Sequence, residues 1–134
     1  MGRVAHVNGR FVRHADAAVH IEDRGFQLAD GVYEVWAVFG GRMADAPGHF
    51  ARLKRSLGEL RIPMPMTEAA LSIVLRETLR RNRIVDGMVY LQVSRGVAPR
   101  DHAFPTPAVP PSVVITAKSV DLAASEAPAT VAAS

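Results

Sequence analysis

The run Val32-Tyr33-Glu34-Val35-Trp36-Ala37-Val38-Phe39, followed by Gly40-Gly41 and then Arg42-Met43-Ala44, decides the fold. β-Branched and aromatic residues fill its first part, the composition of a pleated, half-buried strand. The two glycines supply the positive φ of a tight turn, so the strand is expected to fold back on itself as a hairpin. Upstream, Val4-Ala5-His6-Val7-Asn8-Gly9-Arg10-Phe11-Val12 has the same form, with Asn8-Gly9 at the turn. The segment between the two hairpins, ending in Glu22-Asp23-Arg24-Gly25, reads as a loop.

Downstream the period changes from two to that of a helix. Asp45 is a plausible N-cap with Pro47 in the first turn, and Phe50, Leu53, Leu57 and Leu60 form one apolar stripe. Pro63 and Pro65 are expected to end this helix. Thr67 caps a second helix, whose inner face is Leu71, Val74, Leu75, Thr78 and Leu79 and which runs to about Asn82. Met88 to Arg95 and Ser112 to Lys118 are strand-like, joined by the loop Gly96 to Pro111. Strands, two helices, then strands predict an α+β layer, an antiparallel sheet with both helices on one face. Residues 1–120 form the domain, and the Ala/Ser-rich stretch 121–134 reads as a linker or frayed tail.

The totals narrow the classes of function. The chain has 134 residues, 49% of them hydrophobic and 22% charged, ordinary for a globular domain. It has no cysteine, which removes disulfides and thiolate metal sites. Its five histidines, His6, His14, His20, His49 and His102, show no zinc spacing, and no metal is expected. Neither a signal peptide nor a membrane span is expected, because charged residues interrupt every apolar stretch, so the protein is read as cytoplasmic. The net charge is +3, and Arg76, Arg80, Arg81 and Arg83 cluster near the second helix. Without aromatic interleaving or a recognition motif this reads as a solvated helix face, and nucleic acid is not expected as a partner.

Three features have the chemistry of a binding site, and each has a structural alternative. Tyr33 at the start of its strand either rests half-buried with its hydroxyl in water or donates to a carboxylate or phosphate. Arg52 lies beside the apolar stripe of its helix, where it either snorkels to solvent or grips a phosphate with its planar fork. The loop Arg95 to Pro105 is long and braced by Pro99 and Pro105. Its Arg100 and His102 could together trap a substrate carboxylate, or merely decorate a surface loop.

Taken in order, the runs Val7-Asn8-Gly9-Arg10-Phe11-Val12, Asp23-Arg24-Gly25-Phe26 through Asp30-Gly31-Val32-Tyr33-Glu34-Val35, His49-Phe50-Ala51-Arg52-Leu53 with Ser56-Leu57, Gly87 to Gly96 and the Pro99 to Pro105 loop resemble the class IV aminotransferases. That family includes D-alanine aminotransferase, branched-chain aminotransferase and aminodeoxychorismate lyase. The resemblance implies its small N-terminal domain, pyridoxal 5'-phosphate as cofactor, and Arg52 as the holder of the cofactor phosphate. It also implies that Tyr33, Arg100 and His102 bind a substrate carboxylate in the D-amino-acid type, with the Arg-x-His loop reaching across a homodimer. Leu28-Ala29 departs from the family, where an aromatic residue and a glycine are common. The implied reaction moves an amino group between a D-amino acid and a 2-oxo acid. It requires a cofactor-bonded lysine, but Lys54 and Lys118, the only lysines, match no such position. The C-terminal domain that carries that lysine in the family is therefore expected to be absent, and the chain alone inactive. Rival expectations are another class IV enzyme, namely a branched-chain aminotransferase or the lyase, or a non-catalytic dimerising module on the same fold.

Overall fold

The computed structural model describes residues 2–121, so most of the Ala/Ser-rich stretch lies outside the described residues. Asn8 and Gly9 adopt φ of 47° and 91° and join β1 (Val4–Val7) to β2 (Arg10–Arg13), with Val7 opposite Arg10. The Asn8 side chain also accepts from the Val113 amide at 2.7 Å, pinning the turn to a distant strand. Gly40 and Gly41 likewise link β3 (Gly31–Phe39) to the short β4 (Arg42–Met43).

The segment expected to be a loop is more ordered than its composition suggests. A 3-10 turn spans His14–Asp16, and a short helix, α1, spans Arg24–Leu28. Asp23 caps α1 by accepting from the Gly25 amide at 2.8 Å, and the Ser94 hydroxyl donates to the same carboxylate oxygen at 2.7 Å. Local propensity does not predict five helical residues that include a glycine; the cap and β5 hold them.

Helix α2 covers Ala46–Leu60 and α3 covers Glu68–Arg81. Asp45 occupies the N-cap of α2 but sits at φ 49°, and its side chain makes no capping hydrogen bond. Arg61, at φ 58°, ends α2 in a left-handed cap, with the Ile62 amide donating to the Leu57 carbonyl at 2.9 Å. The helix therefore stops before Pro63, and Leu60 in its last turn is exposed rather than part of the stripe. Thr67 caps α3 through the Ala70 amide, as its sequence implies.

With β5 (Gly87–Ser94) and β6 (Ser112–Ser119), the strands form one antiparallel sheet in the order β2-β1-β6-β5-β3-β4. One face carries Trp36 and Val38 of β3, Val89, Leu91 and Val93 of β5, and Val113, Ile115 and Ala117 of β6. Phe50, Leu53 and Leu57 of α2 and Leu71, Leu75 and Leu79 of α3 close that core, so both helices lie on one face. Tyr33, Tyr90, Gln92 and Val114 belong to the opposite face, away from α2 and α3, where Tyr33 is opposite Gln92 and α1 packs beside Gln92 and Ser94. Among the described residues no helix is long and apolar enough to cross a membrane.

Candidate functional site

Strand alternation places Glu34 on the same face as Trp36 and Val38, under the helices. An acidic side chain there needs cations, and α2 supplies two groups one turn apart. His49 Nδ1 lies 2.6 Å from Glu34 Oε1; a carboxylate offers only acceptors, so the imidazole N–H donates. Arg52 Nε donates to both carboxylate oxygens at 3.1 Å, and Nη2 donates to Oε1. Burial pushes the Glu34 carboxyl up, but its hydrogen bonds from Arg52 and His49 outweigh that and hold it below the usual carboxylate range. Arg52 is thus neither loose nor fully consumed. One edge of the guanidinium is fixed on Glu34, while its side chain remains 52% exposed. The remaining N–H donors, both on Nη1 and the outer one on Nη2, suit an anion such as phosphate.

Tyr33 stands on the face opposite α2 and α3, 47% exposed, with its ring stacked on Tyr90 at 5.8 Å between centroids. Tyr90 in turn donates its hydroxyl to Gln92 Oε1 at 2.9 Å. The Tyr33 ring is therefore supported by a neighbour while its surface stays accessible.

Arg100 and His102 lie in the loop between β5 and β6, both exposed, and neither has a hydrogen-bond or ion-pair partner among the described residues. The loop backbone, by contrast, is tied down. Arg24, 3% exposed, donates from Nη1 to the carbonyls of Asp101 at 2.6 Å and Ala103 at 3.3 Å, on either side of His102. Arg24 Nε and Arg95 Nε both donate to Asp30 Oδ2, at 2.8 and 2.7 Å. Burial raises the Asp30 carboxyl, and hydrogen bonds from Arg95 and Arg24 more than offset this, so it stays below its ordinary value.

No hydrogen bond joins Tyr33, Arg52, Arg100 and His102 to one another among the described residues. Arg52 faces Glu34 on the helix side, Tyr33 is on the other side of β3, and the loop is held near Asp30, where β3 begins. Lys54 is paired with Glu68 at 2.6 Å, and Lys118 is exposed opposite Met88, away from the Tyr33–Gln92 row. Sequence reasoning missed Glu34, His49, Arg24, Asp30 and Arg95. The parity of β3 is a signal for Glu34, since it shares a face with Trp36.

Residues 31–134 match the family described as amino-transferase class IV. A D-alanine aminotransferase of Staphylococcus haemolyticus is 42% identical over 115 residues, covering 86% of this chain and 41% of that protein. One from Bacillus licheniformis is 44% identical over 97 residues, 72% of this chain and 34% of its own length. This chain thus spans about two-fifths or less of the curated relatives it matches. Among solved structures, the branched-chain amino acid aminotransferase of Escherichia coli superposes with a TM-score of 0.80 at 20% identity, over 90% of this chain and 40% of that one. The last likeness concerns the fold, which is that of the N-terminal part of such enzymes. With the family match extending over most of its length, this chain belongs to the class IV aminotransferases.

Proposed function

We propose that this chain is the ligand-gripping part of a pyridoxal 5'-phosphate transaminase that moves an amino group between a D-amino acid and a 2-oxo acid. One observation carries the proposal. Arg52 is locked on buried Glu34 along one edge and presents its remaining donors on an exposed edge, a fixed fork for the cofactor phosphate. Kinship with D-alanine aminotransferases supports the D-amino-acid assignment. Tyr33, on a strand, and Arg100 and His102, on the tied loop, would orient the substrate carboxylate. Since the four groups do not meet within one copy, a homodimer is part of the proposal, with the loop of one subunit completing the site of its partner.

When bound, the cofactor supplies an electron sink for charge developing at the substrate α-carbon. The residues described here contribute binding and orientation. Arg52 neutralises phosphate charge, while Arg100 and His102 fix the carboxylate so that the α-carbon is held in one orientation. A lysine to move the α-proton is not supplied, because Lys54 is engaged by Glu68 and Lys118 stands apart from Arg52 and Tyr33.

Two measurements test this reading. Titration with pyridoxal phosphate, followed by NMR of the Arg52 Nε–H, should show saturable binding in this chain and at least tenfold weaker binding in Arg52→Gln. Equal affinities would remove Arg52 from the phosphate site. Given the cofactor, D-alanine and 2-oxoglutarate, the 134-residue chain should form no pyruvate. Turnover would show that the lysine argument is wrong.

A further inference from the structure

Among the described residues the side chains of Arg100 and His102 have no partners, yet the loop that carries them is tied more firmly than exposed loops usually are. Arg24, Asp30 and Arg95 are the reason. The Asp30 carboxylate accepts Nε–H from both arginines, and Arg95 Nη2 adds a third bond to Oδ1 at 3.2 Å. One carboxylate cannot neutralise two guanidiniums, and at 3% and 8% exposure neither is screened by water. The excess positive charge is satisfied by backbone carbonyls. Arg24 takes those of Asp101 and Ala103 from the loop, and Arg95 takes those of Leu60 at 2.6 Å and Arg61 at 3.2 Å from the end of α2. The Arg95 guanidinium also lies 3.7 Å from the centre of the Phe104 ring.

We infer that Arg24 and Arg95 are positioning residues, which preorganise the Arg100–His102 loop and join it to the end of the helix bearing Arg52. Capture of the carbonyls before and after His102 by one nitrogen gathers the chain around that residue and leaves its side chain outside. Arg95 links Phe104 to the final carbonyls of α2, so the loop and the helix share an anchor. The functional importance of the inference rests on the carboxylate-binding role proposed for Arg100 and His102; the mechanical part stands apart from it.

The test is backbone order in the whole chain, measured by 15N relaxation. In the wild type, residues 100–104 should have order parameters near those of β5, about 0.8, typical of rigid backbone. Arg24→Lys keeps a cation against Asp30, but one compact ammonium cannot serve both Asp30 and the loop carbonyls. Its loop order parameters should fall below about 0.6 while β5 is unchanged. A loop as rigid as wild type in Arg24→Lys, or one already mobile in the wild type, overturns the inference. Should Arg24→Lys fail to fold, Phe104→Ala decides on the same readout, because Phe104 is 53% exposed and its loss leaves the core intact. Its loop should loosen through the Arg95 contact, and unchanged order would overturn the inference. Pyruvate titration into the wild type, observed at the His102 ring, separates the two ideas. A loosened variant loop with no pyruvate response in the wild type would keep the positioning role and defeat the carboxylate reading.

Discussion

Replacing Glu34 by Gln tests whether the Arg52 site is held together by charge. Glu34 is almost fully buried and accepts from His49 and along one edge of Arg52. Glutamine has nearly the same shape, so no cavity forms. Its amide oxygen can keep one partner, but its NH2 group faces the other, and the charge assistance disappears. Hydrogen bonds to charged groups contribute about 1.5–3 kcal/mol each against about 1 for neutral ones. Arg52 is half exposed, and solvent screening reduces its share. A net loss of about 2 kcal/mol follows at neutral pH, or roughly 8 °C in Tm for a domain of this size. The pH dependence is the sharper signature. A carboxyl held below its ordinary value of 4.5 contributes stability that is fully present above that value and is lost as the pH falls through the folded-state value. The difference in Tm between wild type and Glu34→Gln should therefore be constant above about pH 5.5 and shrink as the pH is lowered below about 4.5. Thermal unfolding followed by circular dichroism across that range gives the answer. Equal midpoints at pH 7, or a gap that persists unchanged in acid, would refute the reasoning.

Other substitutions probe the scaffold. Leu53 is fully buried among Trp36, Phe50 and Leu57, so Leu53→Ala should cost about 2–5 kcal/mol, measured as a lower urea midpoint. Gly96 sits at φ 119°, and a Cβ there would lie 2.2 Å from the Pro110 carbonyl oxygen. Gly96→Ala should accordingly shift the β5–β6 loop or lower the yield of folded protein, visible as displaced NMR resonances for residues 96–111; an unchanged spectrum would contradict the contact. Asn8→Ala should destabilise by about 2 kcal/mol, since it puts a Cβ residue at positive φ and leaves the Val113 amide unpaired. Asn8→Gly should cost less in the same chemical denaturation, because it keeps the backbone freedom and loses only the side-chain bond.

How much of this could be read from the chain depends on how far apart the cooperating residues are. The Asn8-Gly9 and Gly40-Gly41 hairpins are legible because two adjacent residues determine them. The stripes of α2 and α3 are legible because periodicity repeats the signal over several turns. Helix α1 is not, because its order comes from the Asp23 cap, the Arg24 amide on the Gly96 carbonyl and contact with Ser94 of β5. The end of α2 is misjudged for a related reason. Prolines mark where a helix cannot continue, but the left-handed Arg61 stops it earlier and turns Leu60 outward. The buried charges are hardest to see. Arg24 and Arg95 look like surface residues until Asp30, remote from Arg95 in sequence, is placed between them.

The same distinction separates the proposed binding residues. Arg52 is held through its side chain, on a helix and against a buried carboxylate, so the guanidinium proposed to meet the phosphate is already oriented. Arg100 and His102 are held only through the backbone beneath them, and their side chains have no partners among the described residues. Fixing an arginine side chain costs up to about 2 kcal/mol of rotamer entropy, which substrate binding itself must supply. In a preorganised loop that cost is confined to the side chains; in a mobile loop each backbone residue ordered adds about 1–2 kcal/mol more. The ties from Arg24 and Arg95 therefore matter most for the residues they do not touch. On the proposed role of Arg100 and His102, they determine whether a carboxylate must order two side chains or an entire loop.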